Sequence, residues 1–146
     1  MDYDSIVKLA IYQSFAASGA APRSARIAEE LNCSLGEVRS AFARLQANRV
    51  LLLQPDGETI RMAPPFSGVP TQHKVEVEGK TYFANCAWDA LGIPAALHRE
   101  AVVHSSCGQS GAPLRLHVSP EGPEPSGWVF HCQVPAARWW ADLVFT

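Results

Sequence analysis

Two units of the α+β class are what the sequence predicts: an N-terminal three-helix domain of winged helix-turn-helix type over residues 1–63, and a small, mostly antiparallel sheet with short helices over 64–146. Three observations lead there. Apolar residues recur at helical spacing only ahead of the VLLL run at 50–53. Alternating apolar and polar residues between Gly and Pro turns dominate the remainder. Between the two patterns lies APPFSGVP, residues 63–70, whose three prolines remove amide donors and mark a connector. At 146 residues and 47% hydrophobic composition, the chain is long enough for one ordinary domain or two small ones sharing a core.

The first helix is expected over residues 4–15, with Ile6, Leu9, Ala10 and Gln13 at helical spacing and Gly19 and Pro22 beyond its end. Ser24 is placed to cap a second helix carrying Ile27, Ala28 and Leu31. Ser34 and Glu37 form a capping box for a third, which lines up Leu35, Val38, Phe42 and Leu45. VLLLQPDGETIRM then reads as strand, turn at Pro55-Asp56-Gly57, strand. After the connector, HKVEVEGKTYF alternates around a turn at Glu78-Gly79 and leads into a short helix beginning near Cys86. Strands follow at AVVHSS (101–106), LRLHV (114–118) and GWVFHCQV (127–134), the last with Cys132 facing the core, and a helix starts after Pro135.

Composition excludes several functions. The formal net charge is −2, and the seven basic residues before Pro65 are matched by seven acidic ones. Arg39, Arg44 and Arg49 on or beside the third helix are placed to meet phosphates, but binding built on phosphate neutralisation needs a basic surface, so DNA is not an expected partner. No apolar run approaches the roughly 20 residues that span a bilayer. Cys33, Cys86, Cys107 and Cys132 are widely spaced, with no CxxC pair and no signal peptide ahead of them, which points to free thiols and a cytoplasmic location. The five histidines have no metal-site spacing, and neither a phosphate loop, a G-x-S-x-G elbow nor H-E-x-x-H occurs.

NCAWDALGIP, residues 85–94, carries the chemistry. A cysteine in the first turn of a helix faces unpaired amides and the positive end of the dipole, so the Cys86 pKa is expected to fall and Cys86 to be the most reactive thiol. Asp89, three residues on, shares its face and can reach whatever binds at the sulfur. An isolated cysteine in an apolar helix also serves as a small buried hydrophobe, and spacing alone leaves both roles open.

Residues 64–97 (PPFSGVPTQHKVEVEGKTYFANCAWDALGIPAAL), with SSCGQSGAPLRLHV and PSGWVFHCQVPAARWWADLVF, resemble the alkylmercury lyase family. The most specific element is the Y-x-x-x-C-x-x-D-x-L-x-x-P pattern from Tyr82 to Pro94. The resemblance implies cleavage of a carbon–mercury bond to a hydrocarbon and Hg(II), with no cofactor beyond external thiols that accept the product. It puts the catalytic pair on Cys86 and Asp89, and Cys107 on a cysteine regarded in the family as structural. Cys86, Cys107 and Asp89 are the expected mercury ligands, and a small organomercurial or other thiol-reactive compound the expected partner. Family enzymes carry a second catalytic cysteine just after the segment matching ADLVFT, so a chain ending at Thr146 is expected to capture mercury and turn over poorly. The alternative is a non-catalytic mercury-, metal- or ligand-binding regulatory protein.

Overall fold

The computed structural model describes residues 1–145 and has the α+β architecture, with helices first and antiparallel sheets after. Helices α1 (Tyr3–Ser18), α2 (Ser24–Leu31) and α3 (Leu35–Ala47) precede a three-stranded sheet of β1 (Leu52–Leu53), β2 (Ile60–Ala63) and β3 (Phe66–Ser67). A five-stranded sheet follows in the order β5-β4-β6-β7-β8, from β4 (Lys74–Val77), β5 (Lys80–Phe83), β6 (Ala101–Ser106), β7 (Pro113–Ser119) and β8 (Gly122–Pro123). Helix α4 (Ala87–Leu97) lies between β5 and β6 in sequence.

Local chemistry explains most boundaries. Asp2 caps α1 by accepting from the Ser5 amide at 2.9 Å, and Gly19 ends it in the left-handed region, where a side chain would run into the Thr81 carbonyl. The Ser34–Glu37 box opens α3 as expected, with both reciprocal bonds made. Ser24 does not cap α2: it is the first helical residue and is buried, while Arg23 takes the cap position without a side-chain bond. The face of α1 also differs from expectation. Val7, Ala10, Ile11 and Phe15 are buried in the core cluster shared with α3 and the sheets, while Ile6 and Leu9 are exposed. In the β1–β2 loop, Asp56 accepts from the amides of Glu58 and Thr59, each at 2.9 Å, and Gly57 supplies a positive φ.

The five-stranded sheet buries one face. Val75 opposes Tyr82 on one side and Val103 on the other, and Val103 opposes Leu116, so a row of buried side chains crosses four strands. Helix α4 covers the sheet with Ala90, Ile93 and Pro94. The stretch read as a connector holds β3, and Phe66 within it stacks on Phe15 at 5.2 Å and tilts against Tyr82 at 5.9 Å. The Tyr82 hydroxyl donates to the Ala16 carbonyl at 2.7 Å, and one apolar cluster runs from α1 to β7.

Two C-terminal expectations are corrected. Residues 127–134 form no strand, and Phe130 instead rests against Trp88, ring centres 5.6 Å apart. Cys132 is therefore exposed instead of core-facing, and its Sγ donates to the Val134 carbonyl at 2.8 Å. The segment after Pro135 is a 3₁₀ helix, Ala136–Ala141; its tight turn is tied back by Arg138 N to Pro135 O and by Trp139 Nε1 to Val134 O. Among the described residues, no helix is long and apolar enough to cross a membrane.

Candidate functional site

The start of α4 gathers the groups with the most distinctive chemistry. Cys86 is itself the N-cap, extended at φ −151°, with Ala87 the first helical residue. Its Sγ accepts from the Asp89 amide at 3.5 Å, a long contact suited to sulfur. The Asp89 carboxyl turns back toward the preceding turn, where Oδ2 accepts from Asn85 Nδ2 at 2.9 Å. The other hydrogen of that amide goes to the Phe66 carbonyl at 3.1 Å. Behind the helix, a Cβ at Gly92 would press on the Pro65 ring at 3.2 Å, so α4 lies close against the connector there.

Burial dominates the electrostatics of the pair. Removal from water pushes the Cys86 thiol up, and the Asp89 charge adds to this; the helix-start amides of Asp89 and Trp88 pull it down without reversing the shift. The expected fall in its pKa is thus overturned by desolvation. Burial also pushes the Asp89 carboxyl up, opposed by the bond from Asn85. Both groups are biased toward holding their protons. The Cys132 thiol lies near enough to raise Cys86 further, and the Trp88–Phe130 contact is what brings its segment to the helix start. Tyr12, whose hydroxyl donates to the Pro64 carbonyl at 3.0 Å, is also near enough to feel the Asp89 charge.

Cys107 stands elsewhere. It follows β6 in a turn closed by Cys107 N to Ala112 O and Gly111 N to Cys107 O, and its thiol is held below the ordinary range by hydrogen bonds, that of the Ser110 side chain first. Cys86 and Asp89 are neighbours, but among the described residues no three His, Cys, Asp or Glu side chains are grouped to hold a metal ion, so Cys107 does not complete a set with them. His73 faces Ser105 Oγ at 2.8 Å and is lowered by burial. On the α3 side, Arg44 makes a two-pronged bond to Asp4 and Arg39 pairs with Glu58. Spacing missed Phe66 and Tyr12, which reach the site from distant sequence; Asn85 stood at i, i+4 from Asp89, a signal that was legible.

A thiol and a carboxyl, both half-buried at one helix start, on a sheet backed by an N-terminal helical layer, define a thiol-and-acid protein of α+β class. The family model for alkylmercury lyase (MerB) matches residues 66–146, and the chain belongs to that family. It is similar to the alkylmercury lyase of Bacillus cereus, 42% identical over 53 residues, which are 36% of this chain and 24% of that protein. The alkylmercury lyase of Streptomyces lividans is 46% identical over 52 residues, again 36% and 24%. These matches thus span about a quarter of the length of either relative. In fold, the chain resembles the crystal structure of the mercury-bound form of MerB2, with a TM-score of 0.64 at 22% identity over 82% of this chain and 59% of that one.

Proposed function

We propose that this chain captures organomercury cations at Cys86 and protonates the mercury-bound carbon from Asp89. The observation that carries the proposal is a thiol and a carboxyl whose pKa burial raises, three residues apart at one helix start. Mercury is soft and prefers sulfur to oxygen or nitrogen ligands. As Cys86 sulfur bonds mercury, the thiol proton leaves, and Asp89, if ionised, takes it up. A second thiolate on the metal loads the leaving carbon with negative charge. The Asp89 O–H bond then breaks, the proton goes to carbon, and the pair of the carbon–mercury bond becomes the carbon–hydrogen bond. Mercury stays divalent on sulfur until external thiols remove it. Cys132 is a local source of the second sulfur, and an external thiol is the other.

Several features support this reading: family membership, the raised carboxyl, and the mercury carried by the structural neighbour MerB2. The test is hydrocarbon release from a simple arylmercury compound with excess thiol. Asp89→Ala is expected to keep mercury on the protein and to lose about 10²- to 10⁴-fold in release, the span of general acid catalysis. Capture by the wild-type chain with no release in any thiol would move the function to mercury binding without cleavage.

A further inference from the structure

We infer that Asn85 is a positioning residue for Asp89: anchored on the Phe66 carbonyl, its amide holds carboxyl oxygen Oδ2 as an acceptor and leaves Oδ1 to carry the proton that cleavage consumes. This rests on the acid role proposed for Asp89. Asn85 Nδ2 has two hydrogens, and both are committed, one to Phe66 O at 3.1 Å and one to Asp89 Oδ2 at 2.9 Å. A backbone carbonyl can only accept. Turning the amide over would set Asn85 Oδ1 against Phe66 O, acceptor against acceptor, so the Phe66 anchor keeps the amide donor toward Asp89. A neutral carboxyl accepts through its carbonyl oxygen, which makes Oδ2 that oxygen and places the proton on Oδ1.

Two further features separate this amide from an ordinary helix-start side chain. Its own Oδ1 is buried without a partner, a cost the fold bears while both amide hydrogens stay committed to Phe66 and Asp89. Its anchor is also fixed. Phe66 is paired with Ala63 in the three-stranded sheet, bridged to Ala84, and stacked on Phe15. Asp89 is thereby referenced to the joined sheets as well as to its own helix.

The first test needs no substrate. In the whole wild-type chain, the two side-chain amide protons of Asn85 should give separated NMR resonances, and Asp89→Ala should move one of them while Asn85 stays on Phe66. Resonances indifferent to Asp89→Ala would overturn the inference, whatever the chain does to organomercurials. The second test is kinetic. Asn85→Ala, and Asn85→Leu as the variant that keeps the bulk without the donor, should lower kcat for arylmercury cleavage about 10- to 100-fold, the scale of a misplaced catalytic group. KM and stoichiometric capture should change less than about twofold. In an Asp89→Ala background the same substitutions should cost nothing more, and an equal loss in both backgrounds would count against positioning.

Discussion

Helices α3 and α4 open with the same spacing and put it to opposite uses. At α3, Ser34 and Glu37 satisfy each other: Ser34 Oγ accepts from the Glu37 amide at 3.2 Å, and Glu37 Oε2 accepts from the Ser34 amide at 2.9 Å. The box is exposed, and its bonds hold the Glu37 carboxyl below its usual range. At α4, Cys86 and Asp89 occupy the same two positions. There the sulfur makes one long bond, the carboxylate is drawn away to Asn85, and burial raises both groups. One helix start commits its side chains to its own amides. The other leaves a thiol and an acid under-committed, which reactive groups must be.

Exchanging the two starts gives the largest expected effect. Cys86→Ser should remove the arylmercury held against excess competing thiol at the start of α4 yet leave the melting temperature unchanged or higher, since serine is a better N-cap than cysteine. Ser34→Cys should lower the melting temperature and leave capture intact. Calorimetry and an arylmercury binding assay would separate the pair, and loss of capture in both would mean that fold alone is being read.

Thiol labelling comes next. At pH 7, brief alkylation followed by mass spectrometry should mark Cys107 before Cys86, reversing the order expected from helix position, because the Cys107 thiolate is favoured by hydrogen bonds and the Cys86 thiolate is opposed by burial. Raising the pH should narrow the gap as Cys86 ionises. Capture should accordingly quicken with pH, while proton delivery slows once pH passes the raised pKa of Asp89.

A thiol-to-thiol fluorogenic cross-linker such as dibromobimane should light up on the wild-type chain. The signal should vanish in Cys86→Ser and Cys132→Ser but survive in Cys107→Ser. Survival in Cys132→Ser would leave the second sulfur to an external thiol.

The smallest effects are on stability, and they differ in sign. Glu37 is lowered, so its contribution is present above the ordinary carboxyl pKa and is lost as pH falls through its folded value. Asp89 is raised, so its ionised form costs stability, fully so once pH exceeds the folded value. Glu37→Gln should therefore lower the melting temperature at pH 7, and Asp89→Asn should raise it. The same sign for both would contradict the contrast drawn between the two helices.

Short-range chemistry was legible in the sequence. The Ser34 box, the turn at Asp56-Gly57, the β4–β5 alternation and the C-x-x-D helix start all depend on neighbours within a few residues. What was hidden depends on tertiary context. Which stripe of α1 is buried was decided by the core it packs into, and Cys86 titration by how deeply α4 beds on the sheet. GWVFHCQV has strand composition but pairs with no strand, and Phe130 finds Trp88 instead, so tertiary context, not propensity, decided its form.

Phe66 puts a constraint on how this sequence can drift. Its ring lies between Phe15 of the helical layer and Tyr82 of the sheet, and its carbonyl carries Asn85. A smaller ring at position 15 would let Phe66 tilt, and the tilt would arrive at Asn85 as a displaced carbonyl. Positions 15, 66 and 82 are thus free to change mainly in concert, and a helical half borrowed from another lineage would bring the wrong neighbour to the acid even with every residue of NCAWD intact.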